Sequence, residues 1–172
     1  SIMAVTFNDH GGAVHSRPRE PNFHNRATST RPTYNASAGA IVDLTGGPAP
    51  VFTGTYTGSG AGTVQLASGT LQIGAAATFN FPGQLFQWNG GTIGFDSGSS
   101  VLTNTGILNL SNPIQEYPDN SADTGTLDNK GTVDQSSGNL ALTYSTAVTN
   151  EGTWNFTGDA SLNTNGSFTN PA

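Results

Sequence analysis

The chain has 172 residues, of which 34% are hydrophobic and 9% are charged, and its formal net charge at pH 7 is −6. It contains no cysteine, which excludes disulfides, thiolate metal sites and a cysteine nucleophile. No apolar run approaches the roughly 18 residues needed to cross a bilayer, and an acidic chain disfavours nucleic acid as a partner because it repels phosphate.

The first forty residues differ from the rest in charge, because they hold four arginines against two carboxylates, whereas residues 41–172 hold nine carboxylates against Lys130. Three prolines and the loss of apolar periodicity predict an extended N-terminal arm over residues 1–40, with one short strand at 2–7. Either the arm is a poorly ordered terminus, or its positive charge holds it against the acidic body or a neighbouring copy. The arginines that would do so are Arg17, Arg19, Arg26 and Arg31.

Residues 41–172 form the predicted body, in which short segments alternate apolar and polar residues. Alternation at period two over four to eight residues predicts β-strands, and turn residues separate the segments. No segment has the spacing of a helix, and glycine and threonine are poor helix formers. Examples of the alternating segments are "GTVQL" (62–66), "GTLQIG" (69–74) and "ATFNF" (77–81).

One phrase recurs along the body, with an apolar residue, an asparagine two positions later and a glycine two positions after that. Successive asparagines lie 15, 25, 21 and 20 residues apart. A period near twenty with one strand-like phrase per repeat predicts a β-solenoid whose early coils are irregular. The alternative, hairpin turns in an antiparallel sandwich, does not explain why the same apolar slots recur. The copies are "WNGGTIGF" (88–95), "LTNTGILNL" (102–110), "LDNKGTVDQ" (127–135), "VTNEGTWNF" (148–156) and "FTNPA" (168–172).

The alternation also predicts a role for each slot of the phrase. Apolar slots fill the interior, while asparagine and glycine turn the corner because both tolerate the left-handed backbone conformation. Asparagines stacked about 4.8 Å apart would hydrogen-bond to their equivalents in the coils above and below. The predicted corner residues are Asn89, Gly91, Asn104, Gly106, Asn129, Gly131, Asn150, Gly152 and Asn170. The predicted core residues are Ile93, Phe95, Leu102, Leu108, Leu110, Leu127, Val133, Val148, Trp154, Phe156 and Phe168.

These phrases, together with the tryptophan-bearing "FQWNGGTIGF", resemble the coils of filamentous-haemagglutinin and autotransporter passenger proteins. The resemblance covers roughly residues 58–172. It implies a right-handed parallel β-helix, here of about five to six coils, on a bacterial surface. The chain departs from the family in its small size and its basic arm, and the resemblance transfers no catalytic residue.

The outward slots hold the charged residues that could act in catalysis. Lys130 is predicted to pair with Glu151 on the adjacent coil, as on a solvated face. Asp128 and Glu151 would lie roughly 8 Å apart, a separation that suits an inverting glycosidase, but nothing nearby would keep Asp128 protonated. Asn109 and Asn155, which stand in N-x-S/T sequons, are predicted to face outward. We therefore expect no enzyme.

Two further groups have metal-ligand chemistry. The loop "DNSADTG" (119–125) resembles the first half of a calcium loop, but Lys130 stands where the bidentate acid belongs. Asp9, His10, His15 and His24 could gather a metal, although lone histidines in an arm are usually unliganded. We expect a plain loop, no metal and no cofactor.

A structural module, an assembling subunit and a binding protein remain. No capping element follows the last phrase, so either the solenoid continues or another copy covers its end. We expect a non-enzymatic, extracellular module, either an adhesin-like solenoid or a subunit that stacks into a filament with its arm bridging neighbours. The alternative is a carbohydrate-binding or polysaccharide-degrading β-helix with a Thr/Asn-rich outer face. The expected partners are copies of itself, further coils of a longer protein, or surface glycans, with no membrane span.

Overall fold

The computed structural model describes residues 13–15, 28–30, 33–45, 51–111, 124–142 and 145–171, which contain strands and no helix. No described helix could therefore span a membrane. The predicted strand at residues 2–7 and the four arm arginines lie outside these ranges. The strands in chain order are β1 (Ala13–His15), β2 (Thr28–Thr30), β3 (Thr33–Asn35), β4 (Ile41–Asp43), β5 (Val51–Ser59), β6 (Thr63–Leu66), β7 (Thr70–Asn80), β8 (Phe86–Trp88), β9 (Thr92–Phe95), β10 (Ser100–Asn104), β11 (Ile107–Leu110), β12 (Gly125–Asn129), β13 (Thr132–Gln135), β14 (Gly138–Leu142), β15 (Ala147–Asn150), β16 (Thr153–Phe156), β17 (Ala160–Thr164) and β18 (Ser167–Thr169).

The strands stack in parallel along three faces, and this confirms the predicted parallel β-solenoid, with about five turns. The first face has the order β1-β3-β5-β7-β10-β12-β15-β18, and the second has the order β4-β6-β8-β11-β13-β16. The third face contains the pair β14-β17, together with β2 and β9, which pair with the first residues of β5 and β7. Where all three faces are described, a turn passes from the third face to the first and then to the second.

The turns keep a nearly constant length. Along the second face, one register column joins one residue of each strand from β4 to β16, in steps of 22, 22, 22, 25 and 21 residues. The longer step contains residues 112–123, which lie outside the described ranges. The neighbouring strands stay in register across that step, so the longer turn does not disturb the stack. The column consists of Asp43, Gln65, Gln87, Asn109, Asp134 and Asn155.

The body begins earlier than the predicted boundary at residue 40. Strand β3 pairs with β5, and Tyr34 is fully buried in the core. Strands β1 and β2 also pair with strands of the body. Prolines and arginines concealed this start, because a three-residue strand carries too little alternation to be recognised beside them.

Eight of the eleven predicted core residues are buried, and the other three lie in the last turn. Trp154 and Phe168 are half-buried, and Phe156, whose prediction as a core residue was wrong, is 49% exposed. No described strand covers that turn, so its interior slots keep contact with solvent. The eight buried residues are Ile93, Phe95, Leu102, Leu108, Leu110, Leu127, Val133 and Val148.

Candidate functional site

The asparagine corner joins the first face to the second and forms a ladder through successive turns. The Nδ2 atom of Asn104 donates to Oδ1 of Asn129 over 2.7 Å, Asn129 donates to Asn150 over 2.6 Å, and Asn150 donates to Asn170 over 2.8 Å. Asn104 and Asn129 are fully buried. The ladder has the geometry that the repeat predicted, and it satisfies amides that would otherwise be costly to bury.

The two fully buried amides, Asn104 and Asn129, also contact the backbone of the turn above them. Nδ2 of Asn104 donates to the carbonyl oxygen of Thr132 over 2.9 Å, and Nδ2 of Asn129 donates to that of Thr153 over 3.0 Å. The backbone N–H of Gly106 donates to Oδ1 of Asn104 over 3.2 Å. One asparagine therefore joins two turns and holds its own corner, which explains why the phrase requires this residue type.

The glycine two positions after each of the first three ladder asparagines is required for a reason different from the one predicted. Gly106, Gly131 and Gly152 do not have positive φ. A Cβ at Gly131 would overlap the carbonyl oxygen of Gly106, and a Cβ at Gly152 would overlap that of Gly131. Close stacking of backbones, rather than a left-handed conformation, excludes side chains at this position.

Asn89 and Gly91 belong to a different corner, so their alignment with the ladder was wrong. They lie between β8 on the second face and β9 on the third, and Asn89 is exposed and accepts a hydrogen bond from Ser111. Gly91 has a φ of +71° and stacks over Gly69, whose φ is +68°. The step of 15 residues from Asn89 to Asn104 could have shown this in the sequence, because it is shorter than one turn and cannot join equivalent corners.

Below Asn104 the same column is aromatic. Phe79 lies opposite Asn104, and Tyr56 lies opposite Phe79. The ring of Phe79 packs edge to face against Tyr56, Phe81 and Phe86, with centroid separations of 5.6, 5.5 and 5.3 Å. The corner column therefore changes from apolar packing to hydrogen bonding between β7 and β10.

Gln135 is a second buried amide, which the sequence reasoning did not identify. It is fully buried, and Nε2 donates to the carbonyl oxygens of Gly138 over 3.2 Å and Ser161 over 2.9 Å. Its Oε1 accepts from the indole Nε1 of Trp154 over 3.3 Å. The signal was its position, since it occupies the interior slot held by Leu110 and Phe156 in the other copies.

The outer charges meet at one lysine. Nζ of Lys130 lies 3.1 Å from Oε2 of Glu151 and 3.3 Å from Oδ2 of Asp128. Hydrogen bonds to Glu151 and then to Asp128 raise the pKa of Lys130. The ammonium group offsets the repulsion between two carboxylates on adjacent turns, which is the role of a register contact on a solvated face.

Asn109 lies in the predicted outward slot, between the interior Leu108 and Leu110, but it is buried there. It is 6% exposed, and its Nδ2 donates to the carbonyl oxygens of Gly83 and Phe86 over 3.0 and 2.9 Å. The corner at residues 82–85 supplies one of these acceptors and encloses the amide. Asn155, two column positions further up, is exposed and donates to Oδ1 of Asp134 over 2.7 Å.

Among the residues that the structure describes, no group of three or more His, Asp or Glu side chains could hold a metal ion. The predicted histidine group and the acidic loop do not enter this result. Asp9, His10 and His24 lie outside the described ranges, as do residues 119–123, and only the backbone of His15 is placed.

The last turn leaves a group of interior side chains uncovered, which we call the end cluster: Trp154, Phe156, Leu162 and Phe168. The ring of Trp154 packs edge to face on Phe168 with a centroid separation of 5.3 Å, and it stacks on Phe156 at 6.1 Å. These residues lie directly above Val133, Gln135, Leu140 and Val148, which are all buried.

The stacked parallel strands and the asparagine ladder at their corner together define a parallel β-solenoid repeat protein. No protein-family profile, curated protein or solved structure matches the chain.

Proposed function

We propose that the protein is a non-enzymatic structural module, a β-solenoid that forms a stiff rod. It would serve as a spacer of a filamentous-haemagglutinin-like surface adhesin or as a subunit that stacks into a filament. The observation that supports this role is the asparagine ladder, because the residues that distinguish the repeat contact neighbouring turns. Asn104, Asn129 and Asn150 each donate to the next turn, so the repeat is built to extend the stack.

We place this rod outside the cell. The chain has one lysine and 9% charged residues, and its outward slots are mostly threonine, serine and asparagine. A polar exterior with almost no lysine suits a secreted surface.

In the filament form, the arginine-bearing arm bridges neighbours. Strands β1 and β2 pair with strands of the body, so parts of the N-terminal region already stack on it. Arg17, Arg19, Arg26 and Arg31 would then meet the acidic body of the next copy through charge attraction. Replacing all four by alanine is expected to weaken assembly, and high salt is expected to weaken assembly of the unaltered protein in the same way.

Electron microscopy of the purified protein at rising concentration tests assembly. We expect rods that lengthen with concentration. Only discrete particles at every concentration would rule out the filament and leave the spacer, which small-angle scattering should then show as a stiff, elongated body.

The enzyme alternative is tested with acidic and neutral polysaccharides, by assaying new reducing ends and unsaturated uronates. We expect no turnover. Turnover that Asp128→Asn or Glu151→Gln abolishes would overturn the structural role, and turnover that survives both variants would point to a site elsewhere on the solenoid.

One observation favours the binding alternative. The second-face column presents two pairs of planar amides and carboxylates on neighbouring strands, Gln65 with Gln87 and Asp134 with Asn155, on either side of the buried Asn109, and such groups bind sugar hydroxyls. Titration with soluble glycans would reveal this function if binding were lost in an Asp134→Ala/Asn155→Ala double variant.

A further inference from the structure

The two ends of the asparagine ladder are chemically different. Each described side-chain bond of the ladder runs from an earlier turn to a later one, with Nδ2 as donor and Oδ1 as acceptor. Asn170 accepts from Asn150 through Oδ1, is exposed, and donates to no described residue. The later end of the ladder therefore presents amide hydrogens that are directed along the stack.

The last strands of the three faces belong to the same turn. β18, β16 and β17 are each the last strand of their sheets, so each has one edge without a described neighbour. Such edges present unpaired N–H and C=O groups in the pattern that a parallel strand would complete.

The end cluster adds an apolar surface between those edges. Phe156 is 49% exposed, whereas Gln135, one turn below it, is fully buried. Phe168 is half-buried above the fully buried Val148. The burial differs because each earlier turn is covered by the one after it, whereas no described strand covers these residues.

We propose that this end of the solenoid docks one further turn that carries the same N-x-G phrase. The incoming turn would pair in parallel with β16, β17 and β18 and would place apolar side chains on the end cluster. The Oδ1 atom of its asparagine would accept a hydrogen bond from Nδ2 of Asn170. An antiparallel edge or a flat apolar surface could cover the cluster, but neither would continue the asparagine column. This inference rests on the proposed structural role and names the partner that the role requires.

The chain itself supplies a suitable probe, a synthetic peptide with the sequence of residues 132–152, "TVDQSSGNLALTYSTAVTNEG", which ends on the N-x-G phrase. In the folded protein this segment contains β13, β14 and β15, which are the strands that β16, β17 and β18 pair with. It lacks tryptophan, so the emission of the protein reports on Trp154 at the docking end. Trp88, the other tryptophan, is already buried.

Titration of the full chain with this peptide is expected to give saturable binding by anisotropy of a labelled peptide, and a blue shift of tryptophan emission. Trp154→Phe should remove the shift and keep the binding. A peptide with Asn150→Leu should bind about tenfold more weakly, because Asn170 loses its acceptor. Equal binding of a scrambled peptide, or no binding of the native one, would overturn the proposal.

Two protein variants make a matched pair. Phe156→Asp places a charge in the end cluster and should abolish docking. Ile41→Asp alters a side chain of similar exposure, 46%, on β4 at the other edge of the same sheet, and it should leave docking unchanged. Docking lost in Ile41→Asp and kept in Phe156→Asp would place the binding surface at the wrong end.

Sedimentation of the protein alone identifies a different occupant. Self-association that the peptide does not compete with, and that Phe156→Asp abolishes, would show that a second copy covers the cluster in another geometry and would refute the N-x-G turn. Peptide docking without rods in electron microscopy would reject the filament and keep the proposed docking of an N-x-G turn. Rods without peptide docking would keep the filament and reject that docking.

Discussion

The lower turns of the solenoid, from β3 to β9, and the upper turns, from β10 to β18, fill one corner column by different chemistry. In the lower turns the column holds Tyr56 and Phe79, whose rings pack edge to face. In the upper turns it holds Asn104, Asn129 and Asn150, which are joined by hydrogen bonds. The parallel stack therefore accommodates either packed rings or hydrogen-bonded amides in this column. Substitutions in the two parts should lower the free energy of unfolding by different amounts.

Removing an aromatic ring from the lower column should have the largest effect. Phe79→Ala is expected to lower the free energy of unfolding by about 4 kcal/mol, because it leaves a cavity among three rings in a fully buried site. Urea unfolding measures the loss. Phe156→Ala, at an exposed interior slot, is the control and should cost less than about 1 kcal/mol; equal losses would mean that the last turn is covered in solution.

Breaking the ladder in the upper turns should cost somewhat less. Asn129→Leu is expected to lower the free energy of unfolding by about 3 kcal/mol, because the buried amide of Asn104 and the carbonyl oxygen of Thr153 both lose a partner. Asn170→Leu changes the exposed last rung and should cost less than about 0.5 kcal/mol. If the two variants were equally stable in urea, the ladder would carry no stability.

The corner glycines allow a comparison between crowding and backbone conformation. Gly131→Asn should destabilise the protein by about 2 kcal/mol, because any Cβ there meets the backbone of the preceding turn. Gly39→Asn should be nearly neutral, since Gly39 has a φ of +76° with open space around it, and asparagine tolerates that conformation. Thermal unfolding of the pair would contradict this explanation if Gly39→Asn were the more damaging change.

The ion pair at Lys130 should have the smallest effect. Its pKa is raised above the ordinary 10.5 in the folded chain, so its contribution to stability is complete below about pH 10.5 and is lost as the pH rises through the folded value. Lys130→Met should lower Tm at pH 7 by about 1 °C or less, since the lysine is exposed. Melting curves at several pH values should converge above that range, and a gap that persists there would assign the effect to packing.

The repeat spacing predicted the ladder because the steps of 25, 21 and 20 residues between its asparagines are the separations of its hydrogen-bonded partners. Spacing could not separate one corner from another, and Asn89 was therefore placed in the wrong column. It also could not reveal that Gly131 is needed for close approach, because glycine is the residue expected for either cause. The burial of Gln135 and the exposure of Phe156 depend on which turn lies above them, and a pattern within one turn does not carry that information.

The amides of the ladder point the same way, and this has an electrical consequence. Three successive N–H···O=C bonds in line add their dipoles instead of cancelling them, and each bond polarises the next. The column beginning at Asn104 therefore carries a dipole along the solenoid, with its positive end at Asn170. Every further asparagine in the column would add to that dipole.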